Sequence, residues 1–236
     1  MGLDDARRTL GKKLAETVTD GMTLGIGTGS TAAFAIESIG RRIREEGIRL
    51  IGVPTSLSAE RLCREHGIQI GTLDEIVSLD LAFDGADEVD PHLNLIKGRG
   101  AAHSREKVVA VAAERFVVLA DYTKRVDILG TRMPVPVEIL PMALGPVSRT
   151  LERLGARPAL RTGPGKDGPT VTDQGLWIVD AKFTAIEDPR VVDETLLNTP
   201  GVLDHGLFLG LASEVWFGEE DGEVTVDRRT TVVAAR

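Results

Sequence analysis

Residues 22–31, which read MTLGIGTGST, decide how this chain folds. The apolar run 22–27 ends in glycines and is typical of a buried strand, and a helix-compatible stretch follows at 31–46. A strand that enters a helix through a short glycine-rich turn is the basic unit of an α/β protein. We therefore expect the first buried strand of an α/β sheet here.

Strands and helices alternate on both sides of this unit. The pattern predicts helices at 3–18, 58–66 and about 101–114, and further strands at 49–53, 68–70, 79–83 and 116–120. Several of these strands are apolar throughout, as in parallel sheets that are covered on both faces. The order predicts an α/β fold with a mainly parallel, doubly wound sheet, in which ligands bind beyond the carboxyl ends of the strands.

The composition changes at residues 130–136 (GTRMPVP), where we expect the chain to cross into a second unit. The elements predicted there follow the order β-α-β-β-α: strand 135–140, helix 146–154, two strands flanking the turn RTGPGKDGPTVTDQG, and helix 188–198. Residues 202–209 and 214–233 are predicted as strands that return to the first unit. The expected domains are therefore 1–130 plus about 203–236, and a small α+β domain at 131–202.

The charge balance limits the partners of this chain. It has 236 residues, 28 of them basic and 36 acidic, for a net charge of −8. Because nucleic acids and anionic membranes attract basic surfaces, we expect neither as a partner. No apolar run approaches the roughly 18 residues that span a bilayer, and the charged start favours a cytoplasmic location. Cys63 is the only cysteine and is expected to be a packed thiol.

The first candidate site is the turn Gly27-Thr28-Gly29-Ser30-Thr31. Glycines let the backbone approach a ligand, and the start of a helix offers free N–H groups and a partial positive charge, which suit a phosphate. The turn matches neither the P-loop pattern nor the full dinucleotide-binding pattern. The alternative is a plain strand-to-helix turn capped by Ser30 or Thr31.

The second candidate site is the acidic segment 84–90 (DGADEVD), which follows the strand at 79–83. Carboxylates at the carboxyl end of a strand can orient sugar hydroxyls, move protons or bind a hard cation such as magnesium. Asp84 and Asp87 are the strongest candidates. The alternative is a solvated acidic turn.

The third candidate site is the segment 97–107 (KGRGAAHSREK), a glycine-rich turn that leads into a helix. Lys97 is a candidate stabiliser of an oxyanion, and Glu106, early in the helix, is a candidate general base. His103 is a rival base. Taken singly, His103 and Glu106 are each explained as well by a solvent-facing position on the helix.

These three segments, with ADYTK (120–124) and VDILG (126–130), resemble the ribose-5-phosphate isomerase A family. The resemblance continues through PVPVE at 134–138 and reaches GLF at 206–208, so it covers most of the chain. The co-occurrence of GTGST, DGADE, the KGxGA-type loop and REK is far more specific than any one of these motifs.

The resemblance implies a Rossmann-like catalytic domain that interconverts D-ribose 5-phosphate and D-ribulose 5-phosphate in the non-oxidative pentose phosphate pathway. It implies that Glu106 carries a proton between C2 and C1 of a cis-enediolate, that Asp84 and Asp87 assist ring opening, and that Lys97 stabilises the enediolate. No metal and no other cofactor is implied, and the expected assembly is a homodimer or a dimer of dimers. The implied substrate-binding residues are Thr28, Gly29, Ser30, Thr31, Gly85, Ala86, Gly98, Arg99, Gly100 and Lys124, with Arg7 or Arg8 as further phosphate contacts.

Two positions depart from the family pattern. The loop that usually reads Lys-Gly-Gly-Gly has Arg99 in its third position, and His103-Ser104 stands where an apolar residue and Thr are more common. If that position needs a positive φ, Arg99 would strain the loop by about 1–3 kcal/mol. Otherwise Arg99 is expected to reach the phosphate or a subunit contact.

Two other functions fit parts of this pattern. One is a different sugar-phosphate enzyme, such as an amino-sugar phosphate deaminase or a lactonase. The other is a sugar-phosphate sensor, although such regulators normally add a DNA-binding segment, and this sequence shows no basic extension.

Overall fold

The alternation of strands and helices in the first half of the chain is confirmed by the computed structural model, which describes residues 2–163, 165 and 167–229. The helices are α1 (Leu3–Glu16), α2 (Ser30–Glu46), α3 (Leu57–Glu65), α4 (His103–Val111), α5 (Leu144–Arg153) and α6 (Pro189–Leu197). The strands are β1 (Thr23–Ile26), β2 (Ile51–Pro54), β3 (Gln69–Ile70), β4 (Leu81–Gly85), β5 (Glu88–Val89), β6 (Leu95–Ile96), β7 (Phe116–Asp121), β8 (Val135–Ile139), β9 (Arg157–Leu160), β10 (Trp177–Lys182), β11 (Val202–His205), β12 (Leu207–Phe208), β13 (Glu214–Gly218) and β14 (Val224–Arg228).

The main sheet has the strand order β14-β13-β7-β4-β1-β2-β3. Its neighbours pair in parallel except at the edge, where β14 runs antiparallel to β13. The predicted fold class is therefore confirmed. Strand order reverses between β1 and β4, since β1 is followed by β2 on one side while β4 lies on the other. A crevice opens at the carboxyl ends of strands at such a reversal.

Both faces of the main sheet are covered, which explains why its strands are apolar throughout. In β4, Leu81 and Phe83 pack into the core that also holds residues of α1 and α2. Ala82, between them, points to the other face and packs in the core that includes Val109 of α4. Because successive side chains of a strand alternate between faces, burial on both sides requires apolar residues at every position.

A four-stranded antiparallel sheet, in the order β11-β8-β10-β9, forms a second layer. Its core includes Val147 and Leu151 of α5 and Leu196 of α6. Since β11 pairs with β8, residues 202–205 lie in this antiparallel sheet rather than in the main sheet. The division into 1–130 plus about 203–236 and 131–202 stays a prediction.

A small three-stranded sheet, β12-β6-β5, joins the two layers. The sequence pattern does not predict β5 and β6, which have two residues each. They matter for the site because β6 ends at Ile96, directly before Lys97, whose backbone N–H donates to the Gly206 carbonyl at 2.8 Å. The predicted strand 214–233 is present as β13 and β14, and its last residues lie outside the described part. Within the described residues, no helix has the length and apolarity needed to cross a bilayer.

Candidate active site

The turn after β1 brings the backbone close to the carboxyl end of β4. A Cβ atom built on Gly27 would lie 2.3 Å from Asp84 Oδ1, so only glycine fits there. Gly29, directly before α2, has a φ of +105°, which side chains rarely adopt. Ser30 and Thr31 therefore begin α2 at the edge of the crevice, where the free N–H groups and the partial positive charge of a helix start favour an anion.

Thr28 is tied to two neighbouring strand ends rather than pointing freely into the crevice. Its N–H donates to Asp84 Oδ1 at 3.0 Å. Its hydroxyl lies 2.8 Å from Thr55 Oγ1 and donates to Ser56 Oγ at 2.7 Å. The sequence analysis did not single out Thr55 and Ser56. They directly follow a parallel strand, and that position is the signal that could have found them.

Lys97, Asp84 and Glu106 form a buried charged group, called here the catalytic cluster. Lys97 Nζ lies 3.0 Å from Asp84 Oδ2 and 3.0 Å from Glu106 Oε2. It also donates to the Gly85 carbonyl at 2.5 Å. All three side chains are at most 5% exposed. The cluster thus holds two carboxylates against one ammonium group, and one carboxylate is in excess.

The excess carboxylate shifts the pKa values of the cluster. Burial raises the pKa of Glu106 to about 8, and the charge of Asp84 adds to this rise, while Lys97 opposes it. Burial also raises the pKa of Asp84, but Lys97 and the N–H groups of Gly85 and Thr28 stabilise its anion. Burial disfavours charged Lys97, yet the two carboxylates outweigh it and raise its pKa. Glu106 accepts from fewer donors than Asp84, and its pKa of about 8 lies close to neutral.

The catalytic cluster borders a cavity of about 390 Å³. The four implied catalytic residues and the ten implied substrate-binding residues all line this cavity except Asp84, which lies behind it against Lys97. The lining members of that set are Thr28, Gly29, Ser30, Thr31, Gly85, Ala86, Asp87, Lys97, Gly98, Arg99, Gly100, Glu106 and Lys124. The cavity therefore unites the three segments that the sequence analysis treated separately.

Of the two arginines considered for phosphate binding, Arg7 lines the cavity. Its guanidinium donates to Asp121 Oδ2, with Nη2 at 3.1 Å, and lies 3.2 Å from Asp4 Oδ1. Arg8 does not line the cavity; it lies over the Phe34 ring, 3.8 Å from Glu37. Arg7, Lys124 and the start of α2 thus bring positive charge to the lining of the cavity.

Arg99 does not carry the strain that a positive φ would impose. Within the described residues, positive φ values outside glycine occur at Leu93 and Ala101, both at 58°. In the loop, Gly98 has a φ of +102°, and Arg99 donates its backbone N–H to Asp87 Oδ2 at 3.0 Å. The side chain of Arg99 lines the cavity mouth. The loop accommodates arginine at position 99 because the positive φ angles fall at Gly98 and Ala101, on either side of it.

His103 is buried, so its expected solvent-facing position is wrong, and it does not line the cavity. Its ring packs against Gly98, where a Cβ atom would come within 2.7 Å of Nδ1. Burial, reinforced by the charge of Lys107, lowers the pKa of His103 to about 3. It is therefore neutral at physiological pH. The packed thiol expected for Cys63 is confirmed: burial raises its pKa to about 12.

Among the described residues, no three or more His, Cys, Asp or Glu side chains are arranged to hold a metal ion.

Comparison with known proteins decides the family. The sequence model of the family ribose 5-phosphate isomerase A (phosphoriboisomerase A) matches residues 51–222. The chain belongs to this family. The ribose-5-phosphate isomerase A of Thermosynechococcus vestitus is 48% identical over 229 residues, which are 94% of this chain and 97% of that protein. The family member of Haloarcula marismortui is 49% identical over 225 residues, covering 95% of this chain and 96% of its own.

Solved structures of the family have the same fold. A D-ribose-5-phosphate isomerase in complex with phospho-erythronic acid superposes with a TM-score of 0.94 at 42% identity, covering 97% of this chain and all of that one. Ribose 5-phosphate isomerase A from Methanocaldococcus jannaschii gives a TM-score of 0.92 at 41% identity, with 96% and 100% covered. The resemblance drawn from the sequence motifs is thereby confirmed.

Proposed function

We propose that this chain is a ribose-5-phosphate isomerase, which interconverts D-ribose 5-phosphate and D-ribulose 5-phosphate through a cis-enediolate with Glu106 as the general base. The observation that carries the proposal is the arrangement of the cavity. A buried carboxylate, Glu106, and an ammonium group, Lys97, lie 3.0 Å apart and line the same cavity as the cationic side chains of Arg7 and Lys124. A short sugar phosphate carries its carbonyl and its phosphate at opposite ends of one chain.

The reaction moves two protons, and the cluster supplies groups for both. The Glu106 carboxylate takes the proton from C2 of the open-chain aldehyde and returns it to C1, while a second proton passes from O2 to O1. Lys97 stabilises the negative charge of the enediolate between these steps. Asp87, which lines the cavity, assists ring opening by exchanging protons with the sugar oxygens, and Asp84, behind the cavity, assists through Lys97, 3.0 Å away.

Burial suits Glu106 to this work. At its ordinary pKa of about 4.3 a glutamate is a weak base toward a carbon acid. Raising the pKa to about 8 strengthens the base, while about a tenth of the carboxyl groups remain ionised at pH 7. The position of Glu106 in the first turn of α4 helps to keep the carboxylate anionic.

The phosphate end is built from groups on three elements. Ser30 and Thr31 open α2, Lys124 follows β7, and Arg7 lies on α1, oriented by Asp121. Asp121 partly neutralises Arg7, so the phosphate charge falls mainly to Lys124 and the helix start. We propose this set as the phosphate subsite.

We further propose that the enzyme works without a metal or another cofactor, in the cytoplasm, as a homodimer or a dimer of dimers, with neither nucleic acid nor membrane as a partner. The proton transfers above need no Lewis acid because Lys97 already supplies a positive charge at the reacting end. The net charge of −8 argues against polyanionic partners.

The test is formation of D-ribulose 5-phosphate from D-ribose 5-phosphate by the purified protein in EDTA, compared with Glu106→Gln. We expect EDTA-resistant turnover and a drop in kcat of at least about 10² in the variant, the lower end for a lost general base. Glu65→Gln, on the exposed face of α3, serves as the control and keeps wild-type rates.

Two outcomes would contradict the proposal. Absence of wild-type turnover would favour another sugar-phosphate reaction, such as deamination of an amino-sugar phosphate or opening of a lactone. Near-normal turnover in Glu106→Gln would remove Glu106 from the mechanism.

A further inference from the structure

Arg161 reaches from the four-stranded sheet to the loop that carries Lys97. Its Nη1 donates to two consecutive carbonyls, those of Gly98 at 2.9 Å and of Arg99 at 3.0 Å. It lies directly after β9, with its own backbone bonded to Ile178 and Thr170. A side chain anchored in one layer thus holds the loop of the other.

Asp180 fixes the guanidinium of Arg161. Nε donates to Asp180 Oδ2 at 2.8 Å and Nη2 to Asp180 Oδ1 at 2.5 Å. The carboxylate thus binds one edge of the planar guanidinium through two hydrogen bonds. The Arg161 side chain is 14% exposed and that of Asp180 23%. A bidentate arginine–carboxylate pair fixes the orientation of the guanidinium and also strengthens the interaction. Nη1 therefore points at the loop in a defined orientation.

The two bonds to the loop orient its N–H groups. In a trans peptide the carbonyl and the N–H point in opposite directions. The peptide whose carbonyl belongs to Gly98 carries the N–H of Arg99, which donates to Asp87 Oδ2 at 3.0 Å. The peptide whose carbonyl belongs to Arg99 carries the N–H of Gly100. With both carbonyls turned to Arg161, both N–H groups turn to the opposite side.

The Gly100 N–H has no acceptor on the protein within the described residues, and Gly100 lines the cavity. It is therefore a free donor on a residue that lines the same cavity as Lys97 and Glu106. A fixed backbone donor aimed at a developing negative charge is an effective catalytic device, because no reorganisation is needed during the reaction.

We infer that Arg161, oriented by Asp180, is a positioning residue for this isomerase: it holds the peptides of Gly98 and Arg99 so that the Gly100 N–H faces a sugar oxygen that becomes negative in the enediolate. This rests on the proposed function. Arg161 and Asp180 do not touch the cavity themselves, and the sequence motifs do not single them out.

The test compares Arg161→Met and Arg161→Lys with the wild type, and uses Arg157→Met as control. Arg157 lies on the same strand and is exposed. Since a small misplacement of a catalytic group can cost up to about 100-fold, we expect Arg161→Met to lower kcat by about 10- to 100-fold. KM should change by less than about threefold, because the lost interaction strengthens only during the reaction. Arg157→Met should stay within about twofold of wild type.

Arg161→Lys keeps a charge but cannot serve Asp180 and two carbonyls at once, so its kcat should fall between the wild type and Arg161→Met. Asp180→Asn added to Arg161→Met should cause no further loss, since both act through one unit. Melting curves show whether each variant folds. A cooperatively folded Arg161→Met with kcat within twofold of wild type overturns the inference, as does a rise in KM at constant kcat.

Failure of the proposed function shows separately, as absence of turnover in the wild type. The positioning role is then read from binding of phospho-erythronic acid, the compound in the solved relative. Its carboxylate is an acceptor for the Gly100 N–H. We expect Arg161→Met to bind it about tenfold more weakly, and unchanged binding contradicts the inference.

Discussion

Two charged groups lie on different faces of helix α4 and have opposite characters. The first is the catalytic cluster of Asp84, Lys97 and Glu106. The second, called here the rear cluster, consists of Lys107, Asp204, His103 and His205. Glu106 and Lys107 are adjacent in the chain, and successive helix residues point about 100° apart. One helix thus supplies a base to one cluster and a cation to the other.

The rear cluster is balanced where the catalytic cluster is not. Lys107 Nζ lies 2.5 Å from Asp204 Oδ1 and donates to the His205 carbonyl at 2.8 Å. Both histidines are fully buried, and burial lowers their pKa values, to about 3 for His103 and about 2 for His205. They are neutral at physiological pH, so Lys107 faces one close carboxylate. Asp193 lies outside this cluster, 3.3 Å from His205 Nε2 with its side chain 28% exposed, and its charge adds to that of Asp204 in favouring charged Lys107.

The different charge balance of the two clusters indicates that one supports the packing of α4 and the other is suited to proton transfer. Where one cation faces one anion, the pair fixes α4 against β11. Where one cation faces two anions, the second anion is held at a cost, and its raised pKa suits it to the proposed role of general base.

The largest effect we expect comes from removing the cation of each cluster in turn. Lys97→Met removes the enediolate stabiliser and leaves two buried carboxylates without a counter-charge, so kcat should fall by at least about 10². Lys107→Met should lower the free energy of unfolding by about 1–3 kcal/mol, while kcat of the folded enzyme stays within about fivefold. Steady-state rates and urea unfolding measure both.

Equal losses of kcat in the two lysine variants would show that the clusters are not functionally separate. Lys12→Met, on an exposed position of α1, is the control for the loss of one positive charge.

The next effect is the pH dependence of kcat/KM. Burial, reinforced by Asp84, raises the pKa of Glu106 to about 8, and the base must be deprotonated to act. Activity should therefore rise with pH and level off above about 8, and fall about tenfold per unit below it. Substrate phosphate titrates near pH 6 and steepens the fall only there.

The variant Asp84→Asn tests whether Glu106 is the group whose titration causes the fall of kcat/KM below pH 8. Removing the neighbouring negative charge lowers the pKa of Glu106, so the midpoint of the residual activity should move to lower pH. The rear-cluster variant Asp204→Asn should leave the midpoint in place. If the midpoint of the pH dependence is the same in Asp84→Asn as in the wild type, a group other than Glu106 causes the fall of activity at low pH.

Local sequence determines most of the main sheet and most residues that line the cavity, but not the contacts behind that lining. Apolar runs that end in glycines mark β1 and β4, and the residues after them form the cavity because parallel strands end at one edge. The two-residue strands β5 and β6 leave no periodic signal. Burial of His103 depends on which helix face meets the second layer, and the reach of Arg161 to residue 98 joins positions more than 60 apart in the chain. No local pattern encodes either contact.

The smallest effect concerns strain in the loop that enters α4. Ala101 has a φ of 58°, which costs an L-residue roughly 1–2 kcal/mol, whereas Ala102, the residue before α4, has a φ of −119°. Ala101→Gly relieves that strain but adds freedom to the unfolded chain, so we expect a net gain of about 0.5–1 kcal/mol in urea unfolding. Ala102→Gly relieves nothing and should lose about as much. The two glycine variants should therefore differ in sign. If both variants destabilise the protein, the positive φ of Ala101 costs little free energy, and the loop that enters α4 does not store backbone strain.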